Sequence, residues 1–405
     1  MEIRDRFLKY VYFPTNSDEK SKTVPSTEKQ LALAEHLAKE LKEMGLDNAH
    51  VDYDSACVYA FLKGNRPCSE TVGFIAHMDT SPEAPDYPIK PRIVRFNGEA
   101  ICLNEEKGIF LSPEDYPNMM RYVGDELVVT DGTTLLGADN KAGMSEIITA
   151  IEYIIENDIP HGNVSLCFTP DEEIGRGADK FDIEKFNADY AYTVDGSTLG
   201  IVEYENFNAG RAIVTVNGVN IHPGCAKNKM KNANSIFCEF DSLIPKNERP
   251  ETTEKYEGFY HLLSIDGSIE KTTAKYIIRD HDRSKFEEKK QFLQSACDFM
   301  NSKYGEGVCS VELTDGYANM GEIISEKMFI VDRARAAIEK NGIKSGIEPI
   351  RGGTDGVRLT FKGLPCPNLC TGAENYHSRF EYVSIQVMEK VTQIIVTMIT
   401  DLVTE

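Results

Sequence analysis

The stretch Thr169-Pro-Asp-Glu-Glu-Ile-Gly175 sets three carboxylates, Asp171, Glu172 and Glu173, side by side directly after the apolar run Val164–Phe168. Like charges repel, and acids at the end of a buried strand are either solvated or held by a cation. Other polar residues fall at equivalent places. His77-Met-Asp79 closes an apolar run that begins at Thr71, and Gly137-Ala-Asp139-Asn-Lys-Ala-Gly143 opens a helical pattern. Asp195-Gly196 closes another predicted strand, and His377 follows the last one. Singly, each has an ordinary explanation: a helix cap at Asp139, a turn at Asp195, a structural histidine. Together, two histidines and three carboxylates at successive strand ends make a mixed nitrogen and oxygen set. Such a set suits zinc, with cobalt or manganese as substitutes.

Five ligands exceed what one catalytic zinc takes, since it keeps an open position. They suit two metals that share a bridging carboxylate, activate water and polarise a carbonyl. That chemistry needs a base that is not itself a ligand. The doubled Glu172-Glu173 supplies one ligand and one free carboxylate, and Asp79 is placed to fix the tautomer of His77. No GxSxG motif offers a serine nucleophile instead.

The elements that must position these residues read as an α/β fold. Thr27-x-x-Gln30 has the capping-box pattern, and Leu31, Ala34, Leu37, Ala38, Leu41 and Met44 follow at helical spacing up to Gly45. His50–Tyr53, Cys57–Leu62, Thr71–Asp79, Asn163–Phe168 and Asp189–Val194 read as strands, and Asp139–Asn157 as a helix. Residues 81–131 are rich in Pro, Gly, Asp and Asn and read as an excursion with short hairpins. Strands alternating with helices predict a mainly parallel central sheet flanked by helices. From about residue 208 the pattern changes: Arg211–Gly218 alternates with period two, helical patterns follow near 230–243 and 284–303, and Tyr276–Arg279 and Val308–Leu313 read as strands. The predicted organisation is a catalytic domain over 1–207 and 319–405, interrupted by a smaller inserted α+β domain at 208–318.

The totals narrow the function classes. A net charge of −21, from 44 basic and 65 acidic residues, argues against nucleic acid or anionic membrane as partners. No apolar run approaches the length of a membrane span, and no apolar signal region follows the N-terminal charges. Ten scattered cysteines without a CxxC pair read as free thiols in a reducing cytoplasm.

The set His77-x-Asp79, Gly137-x-Asp139-x-Lys-x-Gly143, Asp171-Glu-Glu-x-Gly175, Asp195-Gly and Tyr376-His377 resembles the co-catalytic di-zinc metallopeptidase family that includes aminoacylase and succinyl-diaminopimelate desuccinylase. Further passages, Asn220-Ile-His-Pro-Gly224, Gly258-Phe-Tyr-His261, Tyr276-Ile-Ile-Arg-Asp280 and Ile350-Arg-Gly-Gly-Thr-Asp-Gly356, are similar to its tripeptide aminopeptidase branch. The resemblance implies two zincs per chain bridged by Asp139, with His77 and Asp195 completing one site and Glu173 and His377 the other. It implies Glu172 as general base, Asp79 as the orienting acid and His222 as oxyanion stabiliser. In several relatives the equivalent of His222 serves the other subunit of a dimer, so a homodimer through the inserted lid domain is implied as well. Asn140 stands where many relatives carry a second aspartate, at a position that is not a ligand.

Selecting tripeptides means reading both ends of the substrate. Acidic surroundings suit its ammonium group, and Arg279 and Arg351 are the candidates for its carboxylate, because a guanidinium is a bidentate fork. Shared metal ligands leave a dipeptidase, a carboxypeptidase or an N-acyl-amino-acid amidohydrolase as alternatives. A non-catalytic metal-binding protein on the same fold is a further one, with loss of Glu172 or of ligands as its expected signature.

Overall fold

The computed structural model describes residues 1–196 and 198–403. Two compact units divide the chain. One comprises Met1–Tyr204, Ile323–Glu348 and the chain from Thr354 onward; the other comprises Glu205–Glu322 and Pro349–Gly353. The short segment 349–353 thus falls with the inserted unit, although the sequence pattern assigns it to the returning domain.

The first unit is built on an eight-stranded mixed sheet, in the order Asp47–Asp52, Cys57–Leu62, Asn163–Thr169, Thr71–His77, Tyr190–Gly196, Asn368–Cys370, Ile201–Glu203, Gly346–Ile347. The four middle strands run parallel, and antiparallel pairings flank them on both sides. The expected parallel core is present, flanked by antiparallel pairs, of which Asp47–Asp52 with Cys57–Leu62 is joined by a short turn. Thr71–His77 is buried along nearly its whole length because both of its faces are covered.

Helix Ala138–Glu156 packs on this sheet and on the closing helix Ile385–Asp401. Its close approach depends on Gly143, where a Cβ would lie 2.0 Å from the carbonyl oxygen of Val194. Helix Lys29–Glu43 ends at Gly45, whose φ of +89° belongs to the left-handed region. The capping box expected at Thr27 and Gln30 does not form. Thr27 donates its hydroxyl to Asn16 O, and Gln30 donates its amide N–H to the Asp171 carboxylate while its Oε1 accepts the Asp171 N–H, so neither side chain caps the helix. The excursion at 81–131 supplies Arg92–Arg95 and Glu126–Val129 to a second, antiparallel sheet that also holds Tyr382–Ser384 and Ala373–Glu374. Helix Asp355–Phe361 begins inside the passage Ile350–Gly356.

The second unit is a four-stranded antiparallel sheet in the order Phe259–Gly267, Lys271–Asp280, Asn208–Asn217, Cys309–Asp315. Helices Ala233–Leu243 and Arg283–Tyr304 share its core, which includes Val214, Val216, Phe240, Tyr276 and Leu293. Alternating burial along Asn208–Asn217 matches a strand with one solvated face. All ten cysteines are free, and no described helix is long and apolar enough to cross a membrane.

Candidate metal centre

Parallel strands bring their C-terminal ends to one edge of a sheet, and this topology gathers the candidate ligands. His77 is the last residue of its strand and lies in register with Thr169, which leads into the acidic loop. Asp195 lies near the end of Tyr190–Gly196, which pairs with the other side of the His77 strand. Asp139 opens helix Ala138–Glu156 from the left-handed turn at Gly137 (φ +75°), with non-helical torsions of its own and no capping side chain. His377 lies between the short strands Ala373–Glu374 and Tyr382–Ser384, at a φ of +56° that a non-glycine residue adopts only when its surroundings hold it there.

Asp139 stands at the centre. Its Oδ1 is 2.9 Å from His77 Nε2, and its Oδ2 is 3.4 Å from His377 Nε2. Around His77 Nε2 lies also Asp195 Oδ1 at 3.4 Å, and around His377 Nε2 lies Glu173 Oε2 at 2.7 Å. The two oxygens of one carboxylate therefore face two different sets of donors. Ligand atoms of His77, Asp139 and Glu173 lie within 4.8 Å of one another, as do those of His77, Glu172 and Asp195. Glu173 Oε1 is buried with no hydrogen-bond partner among the described residues. Buried, crowded carboxylates facing imidazole nitrogens are the donor set that a divalent cation satisfies, so the residues present fit a metal pair.

Electrostatics agree with this crowding. Burial pushes Glu172 well above the usual carboxylate range, against the pull of His77, and the charges of Asp195, Asp355 and Glu173 add to the shift. Burial likewise pushes Glu173 up to about 8, with the Asp139 charge contributing. Burial also works against ionised Asp139, but His377 and His77 outweigh it and hold its pKa below the ordinary value.

A surrounding layer fixes these groups. His77 Nδ1 lies 3.0 Å from the carbonyl oxygen of Asp79, so this nitrogen carries a ring proton, and Nε2 is the ring atom that faces the acids and is available to a metal. The Asp79 carboxylate accepts the main-chain N–H groups of Glu172 (2.9 Å) and Glu173 (3.1 Å). Asp171 faces the other way. Its carboxylate accepts from Ser26 N at 2.7 Å, Ser26 Oγ at 2.5 Å and Gln30 Nε2 at 2.7 Å, and its φ is +55°. Asp355, buried and pushed up to about 7 mainly by that burial, accepts from Thr169 Oγ1 at 2.7 Å. Sequence reasoning gave no role to Asp171 or Asp355 and read Gln30 only as part of a helix cap. Their partners are 141 and 186 residues away, beyond any local pattern.

The remaining candidates lie in the second unit. His222 is exposed on a turn, and its Nδ1 accepts the Gly224 N–H at 3.1 Å, which leaves the ring proton on Nε2. Arg279 uses Nη1 on Gly210 O (3.3 Å) and Ile278 O (3.0 Å) and lies over the Tyr317 ring, while Nε and Nη2 have no partner among the described residues. Arg351 does not offer the free fork expected of it. Nη1 donates to Lys255 O and Glu257 O, Nη2 donates to Thr253 O and Oγ1, and the guanidinium stacks on Phe207 and Phe259.

Comparison with known proteins adds the family. The Peptidase dimerisation domain family matches residues 204–308. The structure of a tripeptidase from Staphylococcus aureus superposes with a TM-score of 0.78 at 19% identity, covering 100% of this chain and 98% of that one. A Bacillus subtilis protein described as a dinuclear metal binding peptidase from the M20 family superposes at 0.66 with 13% identity, covering 99% and 98%. At such identities the two structures bear on the fold. A Peptidase T from Caldanaerobacter subterraneus subsp. tengcongensis is 52% identical over 401 residues, 98% of each chain, and one from Halothermothrix orenii is 52% identical over 403 residues, again 98% of each. Identity of this extent over both units places the chain within one family of enzymes: it belongs to the peptidase T family.

Proposed function

We propose that this tripeptide aminopeptidase works with Glu172 as general base beside a metal pair held by His77, Asp139, Glu173, Asp195 and His377. The observation that carries the reading is Asp139, whose two oxygens face two different histidines. Two zinc ions, with cobalt or manganese as substitutes, would be held by these residues and would supply an acidified water and a polarised substrate carbonyl. Glu172 takes the proton of the attacking water and delivers it to the leaving amine, a task that suits a carboxyl whose pKa burial has raised. Asp79 keeps Nε2 of His77 unprotonated and holds the Glu172-Glu173 main chain, so that one acid faces the donors while its neighbour stays free. His222, with its ring proton on Nε2, is the donor for the developing oxyanion. Of the two arginines, Arg279 keeps the unused nitrogens that a substrate carboxylate needs. Arg351 instead pins its own segment within the second unit.

The reading extends to a cytoplasmic enzyme acting on small peptides, with a homodimer formed through the second unit. The match to a dimerisation domain supports the assembly. A panel of alanine di-, tri- and tetrapeptides beside an N-acetyl amino acid tests the substrate, with zinc, cobalt and manganese supplied in turn. Tripeptide hydrolysis should be fastest. Faster cleavage of the dipeptide or the acetyl compound overturns the substrate assignment.

A further inference from the structure

One buried acid near the centre is neither ligand nor base. Glu381 is 2% exposed. Its Oε2 accepts the main-chain N–H groups of Leu136 (2.9 Å) and Gly137 (2.7 Å), and its Oε1 accepts that of Asp139 (2.8 Å). Three N–H groups converge on one carboxylate at the start of helix Ala138–Glu156, where the main chain has donors to spare. These contacts hold the residue whose side chain faces both histidines.

The origin of Glu381 matters as much as its contacts. It lies four residues after His377, on the same segment between strands Ala373–Glu374 and Tyr382–Ser384. The segment that presents His377 thus also grips the main chain of Asp139. Glu381 and His377 contact the Asp139 segment from one loop, the first through the backbone and the second at Oδ2. A shift of that loop would move both contacts together.

We propose that Glu381 is a positioning residue of the metal centre, which sets the separation of Asp139 from His377 and so determines whether a second ion is held beside the first. The proposal rests on the ligand assignment made above.

The test is zinc titration of the metal-free full-length protein in competition with a chromophoric chelator, for the wild type, Glu381→Gln and Glu381→Ala. Circular dichroism and thermal unfolding of each metal-free form accompany it. Wild-type protein should bind two zincs; fewer than two overturns the ligand assignment itself. Losing a group that orients ligands weakens metal binding about 10–100-fold. Glu381→Ala should therefore bind its weaker zinc at least about tenfold less tightly while the first is held closer to normal. Glu381→Gln, which keeps an acceptor oxygen of the same reach, should recover part of that loss. Asp189→Ala serves as the comparator: it removes the acceptor of Thr71 N at the opposite end of the His77 strand. Among folded proteins, two outcomes overturn the proposal when the wild type holds two ions. One is a folded Glu381→Ala protein with both affinities within twofold of the wild type. The other is an Asp189→Ala protein weakened in zinc binding as much as Glu381→Ala. Failure of both Glu381 variants to fold also overturns it, because Glu381 would then be a folding residue.

Discussion

At the C-terminal edge of the eight-stranded sheet, acids are gathered against histidines and against one another. In the four-stranded sheet of the second unit and its helices, acids meet lysine and arginine. Lys303 pairs with Glu239 at 2.5 Å, Lys290 with Asp315 at 2.8 Å, and Arg249 with Asp241 at 3.0 Å. Even the buried Asp280 has Lys289 at 3.7 Å. At the sheet edge of the first unit, Glu172 and Glu173 are surrounded by further carboxylates, and Glu173 Oε1 has no partner among the described residues. Burying acids without cations costs stability, and at this edge a divalent ion would offset that cost. The second unit carries acids beside cations, and its exposed pairs each contribute little.

This contrast is open to attack, beginning where the effect should be largest. Replacing Glu172 by Gln removes the base and leaves the ligands. Turnover of a tripeptide should fall about a hundred- to ten-thousand-fold, with zinc content by elemental analysis unchanged. Glu173→Ala removes a ligand, so zinc content should fall first and excess zinc should restore part of the activity. If both proteins lose metal alike, the division of the neighbouring acids is wrong. That outcome has a structural precedent, because Glu172 also lies within reach of His77 and Asp195.

The two arginines sharpen the comparison inside the second unit. Arg279→Ala should raise KM for tripeptides by about tenfold or more, as expected for loss of a charge-assisted contact worth about 1.5–3 kcal/mol, with zinc content and thermal midpoint little changed. Arg351→Ala loses its contacts to the main chain of residues 253–257 and its stacking on two rings. Its principal effect should be on calorimetric stability, a loss of about 1–3 kcal/mol. Equal KM effects from the two substitutions would return Arg351 to the pocket. The smallest effect belongs to the solvated pairs. Lys303→Ala breaks a contact between side chains 47% and 30% exposed, and stability should move by no more than about 0.5 kcal/mol. A loss several times larger would mean that this charge network carries more than its exposure suggests.

Much of this protein is legible in its sequence because hydrophobic period and residue type report local structure directly. The unbroken apolar run from Thr71 to His77 announces a strand buried on both faces, and Arg211–Gly218 announces one solvated face. His77, Asp139, the 171–173 acids, Asp195 and His377 stand out because polar residues at the ends of apolar runs need a reason. Tertiary structure decided what no local pattern encodes. Gln30 abandons an expected cap for Asp171, Arg351 spends its fork on residues 253–257, and the 349–353 segment joins the second unit. The partners of Asp171 and Glu381 are 141 or more residues away along the chain. Sequence alone determined which residue types could hold metal and which strands would end beside them. Only the folded chain decided which oxygen of Asp139 faces which histidine, because that depends on the register of parallel strands and on a loop whose Glu381 lies 242 residues beyond Asp139.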